Sequence, residues 1–339
     1  MPNLLRRLLA VTKWTLRVLG WTSVAILTLW SGLALRYSPL LALDLRSIAA
    51  WTFGGTAVAA VVFWRPRWRP LLGLTGAWAV IAGCFIGLQP QADRDWHPSV
   101  AVLSHTQFDG DLATIRNVRD FDWTGPDAAT PRYHDGTYDL RQLTGVDLVC
   151  SYWDGNEAIA HTMLCFDFGP QGVLCLSVEV RATRGQEYGA LPGMFKSYEI
   201  AYMLGEERDL LQVRAVHRHE ELYMFRTTLG QAEAALLLRA ALQRANGLST
   251  TPQFYRTLLN NCTTSLIDCI DEVWPDRTAF AEKILMNGYA PEHAYEHGIL
   301  RTSLPFDEYK RRSRITDAAR AAAGAPDFSR RIRAGLPKD

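Results

Sequence analysis

The sequence predicts an α+β domain preceded by three membrane-crossing helices, and three observations predict it. The chain of 339 residues has a net charge of +1, but residues 1–90 hold nine Lys/Arg against one acid, Asp44, while the remainder holds 27 against 34. Seven of the eleven Trp also fall in the first part, so the chain is not uniformly soluble. The first part contains three long uncharged runs. From Val100 onward the pattern changes to short strand-like segments separated by Gly, Pro, Asp and Asn, followed by helical periodicity. The acidic character of the larger part argues against a nucleic-acid partner.

The uncharged runs are residues 18–35, 47–64 and 71–88. At about 1.5 Å per residue, each can cross most of a hydrocarbon core about 30 Å thick, with Trp and Arg at the ends reaching the interface. They define a membrane domain over residues 1–90. A cleaved signal peptide is the rival reading of the first run, but no small-residue cleavage site follows it and two more apolar runs do. Gly54-Gly55 weakens the middle run and leaves a two-span arrangement open. Arg6, Arg7, Lys13 and Arg17 precede the first run, and Arg65, Arg67 and Arg69 fill the second connection, whereas the first connection has only Arg36 and Arg46. The excess of basic residues places the amino terminus and the second connection in the cytoplasm. Three crossings then predict a multi-pass protein of a bacterial inner membrane, with everything after Gln89 in the periplasm.

Residues 91–99 read as a polar linker, with Pro90 stopping the third helix. The outer domain is predicted over residues 100–306, with strands at 148–153, 161–168, 173–181, 210–216 and 221–226. An Ala/Leu-rich helix over 231–244 is predicted to close at Asn246-Gly247. A second helix should begin at Cys262 behind the cap position Asn260-Asn261, because Leu266, Ile267, Ile270 and Val273 recur at helical spacing. A third is expected near 279–286. Residues 307–339 read as a basic, solvated and partly helical tail with nine Lys/Arg against three acids from Lys310 onward, and contact with anionic headgroups is its sharper reading.

The segment around Asn260-Asn261-Cys262-Thr263-Thr264 carries the strongest chemical signal. A cysteine in the first turn of a helix lies among unpaired backbone N–H groups and the positive end of the helix dipole, which favours the thiolate. The same groups can stabilise an oxyanion, and Asn261 or Tyr255 can add a side-chain donor. A small buried cysteine that happens to start a helix is the plain alternative. A thiolate nucleophile needs a base, and His161 opens a strand that a short turn joins to the next one. Pairing Phe168 with Gly172 places Thr162, Leu164 and Phe166 on one face with Leu174, Leu176 and Val178. The other face then holds His161, Met163 and Cys165 beside Glu179, Ser177 and Cys175. A slip of one residue would mix the polar and apolar sets. His161 therefore lies across from Glu179, which can fix its tautomer and stabilise its cation. The alternatives are a strand-end histidine beside a surface acid, and a structural ion pair of Glu179 with Arg181.

Arg181, Arg208 and Arg214 are candidate contacts to phosphate or carboxylate, although charged residues near strands commonly serve structure. His217 and His219, or His293 and His297, have metal-compatible spacing but no nearby cysteine ligands, so no metal is expected. With no Gly-rich phosphate loop and no Cys-x-x-Cys motif, no cofactor is expected either. The chain has six cysteines, and in an oxidising compartment Cys165 and Cys175 can form a cross-strand disulfide or remain buried thiols.

Several ordered segments resemble the Lnb-type N-terminal periplasmic domain family: Ile-Arg-Asn-Val-Arg-Asp-Phe at 115–121, Ala-His-Thr-Met-Leu-Cys-Phe-Asp-Phe at 160–168, Leu-Ser-Val-Glu-Val-Arg at 176–181, Glu-Glu-Arg-Asp-Leu at 206–210 and Asn-Asn-Cys-Thr-Thr at 260–264. Ile-Leu-Met-Asn-Gly at 284–288 and Ser-Leu-Pro-Phe at 303–306 fit as well, so the resemblance covers residues 100 to about 320. It implies a permuted papain-like, NlpC-type fold with an antiparallel sheet and a cysteine-bearing helix, in which a histidine strand and a polar partner precede the cysteine. It implies Cys262 as nucleophile, His161 as base and Glu179 as orienting acid. It further implies acyl transfer through a cysteine thioester, with phospholipid or lipoprotein as substrate and the membrane as partner. A peptidoglycan amidase or endopeptidase using the same residues, or a catalytically silent envelope assembly module, are the competing readings.

Overall fold

The computed structural model describes residues 2–66, 68–153, 155–274 and 287–337. Contacts divide the chain into two compact units, one made of residues 1–90 with Gly189–Ser197 and the other of Gln91–Tyr188 with Tyr198–Asp339.

The first unit contains α1 (Pro2–Tyr37), α2 (Leu43–Phe63) and α3 (Trp68–Gly87). All three are long and apolar enough to cross a membrane. Helix α2 runs uninterrupted through Gly54-Gly55, where i→i−4 hydrogen bonds are satisfied internally as a lipid environment demands. Trp51, Phe63, Val80 and Ile86 are largely exposed on these helices, a surface that water penalises and hydrocarbon does not. Arg46 closes the α1–α2 connection by donating from Nε to the Leu41 carbonyl and from Nη1 to the Tyr37 carbonyl, at 3.0 and 3.5 Å.

In the second unit the chain runs through α4 (Pro98–Ala101), β1 (His105–Asp109), β2 (Leu112–Arg119), β3 (Asp122–Trp123), β4 (Ala129–Thr130), β5 (Tyr133–Asp139), β6 (Gly145–Tyr152), β7 (Ala160–Asp167) and β8 (Val173–Arg181). It then enters the first unit through the single turn α5 (Ala190–Gly193) and returns as β9 (Glu199–Glu206), α6 (Glu207–Gln212) and β10 (Glu221–Arg226). Helices α7 (Gln231–Thr250), α8 (Cys262–Val273), α9 (Ala290–Glu296), α10 (Phe306–Arg312), α11 (Thr316–Ala321) and α12 (Phe328–Arg333) follow. Within the first unit, Phe195 joins the rings of Trp30, Tyr37 and Phe85. Lys196 Nζ donates to the carbonyls of Phe85, Ile86 and Leu88, satisfying the carboxyl end of α3.

Eight strands form one sheet in the order β1-β2-β9-β8-β7-β6-β10, with β5 also paired to β2. The expected purely antiparallel sheet is mixed, because β2 and β9 run parallel at Arg119 and Gly205. A Cβ at position 205 would lie 3.0 Å from the Arg119 carbonyl oxygen, tighter than most side-chain contacts, so this close crossing favours glycine. The β7–β8 hairpin has the register read from the sequence: Met163 pairs with Ser177, Leu164 with Leu176 and Cys165 with Cys175, and Phe168 N donates to the Gly172 carbonyl. One face of the hairpin buries Leu164, Phe166, Leu174 and Leu176 with Leu237, Leu238 and Ala241 of α7 and Leu266 of α8. The opposite face buries Met163, Cys165 and Cys175 with Leu210, Leu211, Ile315, Phe328 and Ile332. Cys165 and Cys175 form a disulfide across directly paired positions, with Cα atoms 4.2 Å apart.

Four further sequence expectations are corrected. Residues 210–216 are not a strand but continue α6 into a π-helical turn, Val213–His217, and the strand in this region is β9. Leu211, Val213 and Ala215 are buried and alternate with Gln212 and Arg214, a two-residue period that reads as a strand. Helix α7 passes through Asn246-Gly247 because the Asn246 amide is used elsewhere: it accepts from Thr106 N at 2.8 Å and donates to the Thr106 carbonyl at 2.7 Å, acting as a strand partner for β1. The expected linker is docked, with Gln91 N on Glu199 Oε1 at 2.6 Å and His97 N on the Ala182 carbonyl at 2.9 Å. The expected basic tail is part of the domain: α11 and α12 bury Ala319, Phe328 and Ile332, and Arg333 forms ion pairs with the buried Asp147 and Glu207. The helix expected near 279–286 lies outside the described residues.

Candidate active site

Helix α8 starts at Cys262 because Asn261 caps it. The Asn261 Oδ1 accepts from Thr263 N and Thr264 N, each at 3.0 Å, and Thr264 Oγ1 accepts in return from Asn261 N at 2.8 Å. This reciprocal cap leaves Cys262 in the first helical position, among N–H groups without intrahelical partners. The Asn261 amide nitrogen donates to the Thr257 carbonyl at 2.9 Å, so the side chain offered by the sequence as an oxyanion donor is committed to shaping the helix start. The Thr162 and Thr263 hydroxyls, 3.0 Å apart, join the start of α8 to β7.

His161 and Cys262 are both buried and lie close enough to shift each other's ionisation. On its other side, the His161 Nε2 lies 2.6 Å from Ser177 Oγ and 3.4 Å from Glu179 Oε1, and Ser177 Oγ donates to that same carboxylate oxygen at 2.6 Å. The Ser177 proton is therefore directed at Glu179, and its oxygen accepts from a protonated Nε2. That arrangement commits Nε2 to Ser177, so a proton exchanged with the thiol would have to pass through Nδ1. Glu179 is held from behind by Arg214, whose Nη2 is 2.9 Å away, while Arg214 Nη1 lies 3.1 Å from Glu220. Glu220 in turn accepts a short hydrogen bond from Ser151, the cross-strand partner of His161.

These contacts set the charges. Burial pushes the Cys262 thiol up, but the hydrogen bond with His161, its charge, the Thr162 N–H and Thr263 outweigh it and bring the pKa down to about 7. For His161, burial and Arg214 push downward, yet Glu179 and the bonds to Cys262 and Glu179 raise the pKa to about 9. Burial works against ionising Glu179, but His161 and Arg214 beside it hold its carboxyl well below the ordinary range. The arrangement favours a thiolate beside an imidazolium, backed by an alternating row of buried charges.

Of the other residues singled out in the sequence, Tyr255 is buried near the thiol and Tyr188; burial, then the Cys262 charge and Tyr188, raise its pKa and keep its hydroxyl protonated. Arg214 joins the network, but Arg181 and Arg208 are engaged elsewhere. Arg181 donates to the carbonyls of Val100 and Ala101 at 3.1 and 2.9 Å and stacks over Trp96, while Arg208 pairs with Asp120 and Asp122. Two residues escaped sequence reasoning. Ser177 could have been found, since alternation puts it on the His161 face two positions from Glu179. Asn287 lay inside the segment Ile-Leu-Met-Asn-Gly that carries part of the resemblance, but only the structure shows its Nδ2 donating to Cys262 Sγ at 3.8 Å across 25 residues of chain. Among the described residues, two clusters have metal-ligating composition. Cys165, Cys175 and Glu207 are one, and its two sulfurs are bonded to each other; His293, Glu296 and His297 on the short α9 are the other.

No curated protein and no solved structure gives a significant match to the chain. Residues 129–288 match the family described as the Lnb N-terminal periplasmic domain, and that interval contains His161, Ser177, Glu179, Cys262 and Asn287.

Proposed function

We propose, from the premise that residues 129–288 are an Lnb N-terminal periplasmic domain, that this membrane-anchored chain is a thiol acyltransferase or hydrolase acting on lipid or lipoprotein acyl groups at the periplasmic face of an inner membrane. The observation that carries the reading is the buried Cys262–His161 pair with its Nε2 side locked by Ser177 and Glu179. The chain order His161, Glu179, Cys262 fits a permuted papain-like arrangement. In the reaction, the Cys262 thiolate attacks an ester carbonyl, forming the S–C bond while the carbonyl electron pair moves to oxygen. Collapse of that adduct expels the alkoxide, which takes the proton held on His161, and leaves a thioester. An amine or water then attacks the thioester, gives its proton to His161 and releases the Cys262 thiolate. Glu179, acting through Ser177, stabilises the imidazolium in both half-reactions.

Support for a lipid rather than a peptidoglycan substrate comes from the turn before the thiol. Leu258 and Leu259 are 49% and 71% exposed there, an apolar surface four and three residues from Cys262. The test is intact mass measurement of the full chain in detergent micelles after incubation with phosphatidylethanolamine. An acyl adduct on Cys262 that hydroxylamine removes, and that Cys262→Ala lacks, is the expected result. No adduct, together with release of peptidoglycan fragments by the same preparation, would overturn the lipid reading. Reporter fusions after Asp93 and Asp339 should both be exported; a cytoplasmic signal from either contradicts the periplasmic placement.

A further inference from the structure

We infer that Asn287 is a catalytic residue whose side-chain amide supplies the oxyanion donor of this thiol site, an assignment that rests on the acyl-transfer reading above. Three observations on the described residues lead to it. Asn287 Nδ2 donates to Cys262 Sγ at 3.8 Å, so the amide already faces the atom that would carry the acyl group. Its orientation is set from the other end, because Asn287 Oδ1 accepts from Ala160 N at 3.0 Å; with the oxygen held by the backbone of β7, the NH2 group has to point at the thiol. The competing amide is tied to the helix start: Asn261 accepts from Thr263 and Thr264 and donates to Thr257.

The backbone around Asn287 is fixed as firmly as its side chain. Gly288 N donates to the Ala158 carbonyl at 3.0 Å, and the Tyr152 hydroxyl donates to the Gly288 carbonyl at 2.6 Å. A Cβ at position 288 would lie 2.0 Å from the Glu157 carbonyl oxygen, so the residue after Asn287 has to be glycine for the chain to come this close. Asn287 thus clamps the residue before His161 to the thiol that His161 serves. When Cys262 attacks a carbonyl, the developing negative oxygen lies one bond beyond the new S–C bond. A donor aimed at Sγ is within reach of that oxygen, and it is pre-oriented before substrate arrives. The tetrahedral adduct forms in both half-reactions, so the same amide serves acylation and deacylation.

The probe is p-nitrophenyl octanoate with the full chain in detergent micelles, reading the burst of p-nitrophenolate as acylation, and iodoacetamide alkylation of Cys262 as a reaction that builds no oxyanion. In Asn287→Ala and in Asn287→Asp the burst rate constant should fall by about 10²–10³-fold, the usual loss for one oxyanion donor. Alkylation followed against pH should reach a plateau rate within about threefold of wild type, since that plateau needs only the thiolate, whatever midpoint the substitution imposes. Asn287→Asp retains an acceptor for Ala160 N and so tests the donor where the alanine variant fails to fold. Acylation within about fivefold of wild type in the aspartate variant, or equal losses in acylation and alkylation, overturns the assignment and leaves Asn287 a packing residue. A wild-type chain showing no Cys262-dependent burst overturns the acyl-transfer reading and this assignment together, an outcome recognisable without any Asn287 variant.

Discussion

Ser177 stands between His161 and Glu179, and the shorter link between imidazole and carboxylate runs through its hydroxyl. The direct distance from His161 Nε2 to Glu179 is 3.4 Å, whereas both hydrogen bonds through Ser177 are 2.6 Å. Removing the hydroxyl in Ser177→Ala withdraws a charge-assisted bond worth about 1.5–3 kcal/mol, so acylation should slow by about 10–100-fold. Burst kinetics with the ester probe measure this, and a rate unchanged from wild type would mean Glu179 acts directly. The thiol near 7 and the imidazole near 9 make the ion pair the dominant form between those values. Alkylation of Cys262 should therefore rise through a midpoint near pH 7. In His161→Ala, burial is no longer opposed by the imidazole, and the midpoint should move above 9, the ordinary cysteine value. The linkage signs differ for the two groups. The raised value of His161 contributes stability in full below its ordinary 6.5, lost as pH rises through about 9; the lowered value of Cys262 contributes stability in full above its ordinary 9, lost as pH falls through about 7. Their slopes oppose each other between pH 7 and 9, so the pH dependence should appear in thiol reactivity rather than in Tm.

At the scale of elements, the β7–β8 hairpin was legible because its polar residues mark one face. Ser177 and Glu179 cannot exchange places with Leu176 and Val178 without burying charge against α7 and α8. The same register puts Cys165 opposite Cys175, and the bridge closes a hairpin ten residues apart in sequence. Replacing both by alanine should cost about 2–3 kcal/mol, the usual value for a loop of this size, while leaving Cys262 alkylation intact. Denaturant melts measure the loss, and thiol labelling of the unfolded, unreduced wild type should find Cys84, Cys150, Cys262 and Cys269. The region after β9 was not legible. Apolar residues alternate there with Gln212 and Arg214 as they would in a strand, and only the packing of Leu210, Leu211 and Ala215 against the C-terminal helices decided for a helix. At Asn246-Gly247 a favourable stop signal was overridden by a tertiary bond to Thr106, which uses the asparagine side chain as a strand edge.

Within the whole molecule, the basic C-terminal segment is where charge counting misled most. Its net excess of Lys/Arg suggested solvent or headgroups, but Arg333 is consumed in pairing two carboxylates of the domain interior, Asp147 and Glu207. Removing one partner of such a buried cluster leaves uncompensated charge, so Arg333→Ala should destabilise the domain by about 3–5 kcal/mol. Thermal unfolding in detergent measures the change, and a Tm equal to wild type would show that the segment does not hold the fold together. Arg214 gives the same lesson inside the site: a cation that looks like an anion contact in the sequence is buried between Glu179 and Glu220.

The sequence by itself determined the three apolar helices and the basic residues around them, the helix opening at Cys262 and the hairpin that sets His161 beside Glu179. Each depends on a local period or a local cap, which neighbouring residues encode. Only the tertiary structure decided the mixed pairing of β2 with β9, the docking of residues 91–99 and of α10 to α12, and the approach of Asn287 to Cys262. Those features join segments far apart in the chain, as Asn287 joins Ala160 across 127 residues. Periodicity states which face an element buries but not which partner covers it, so pairings of this kind are settled by the packing of the whole domain.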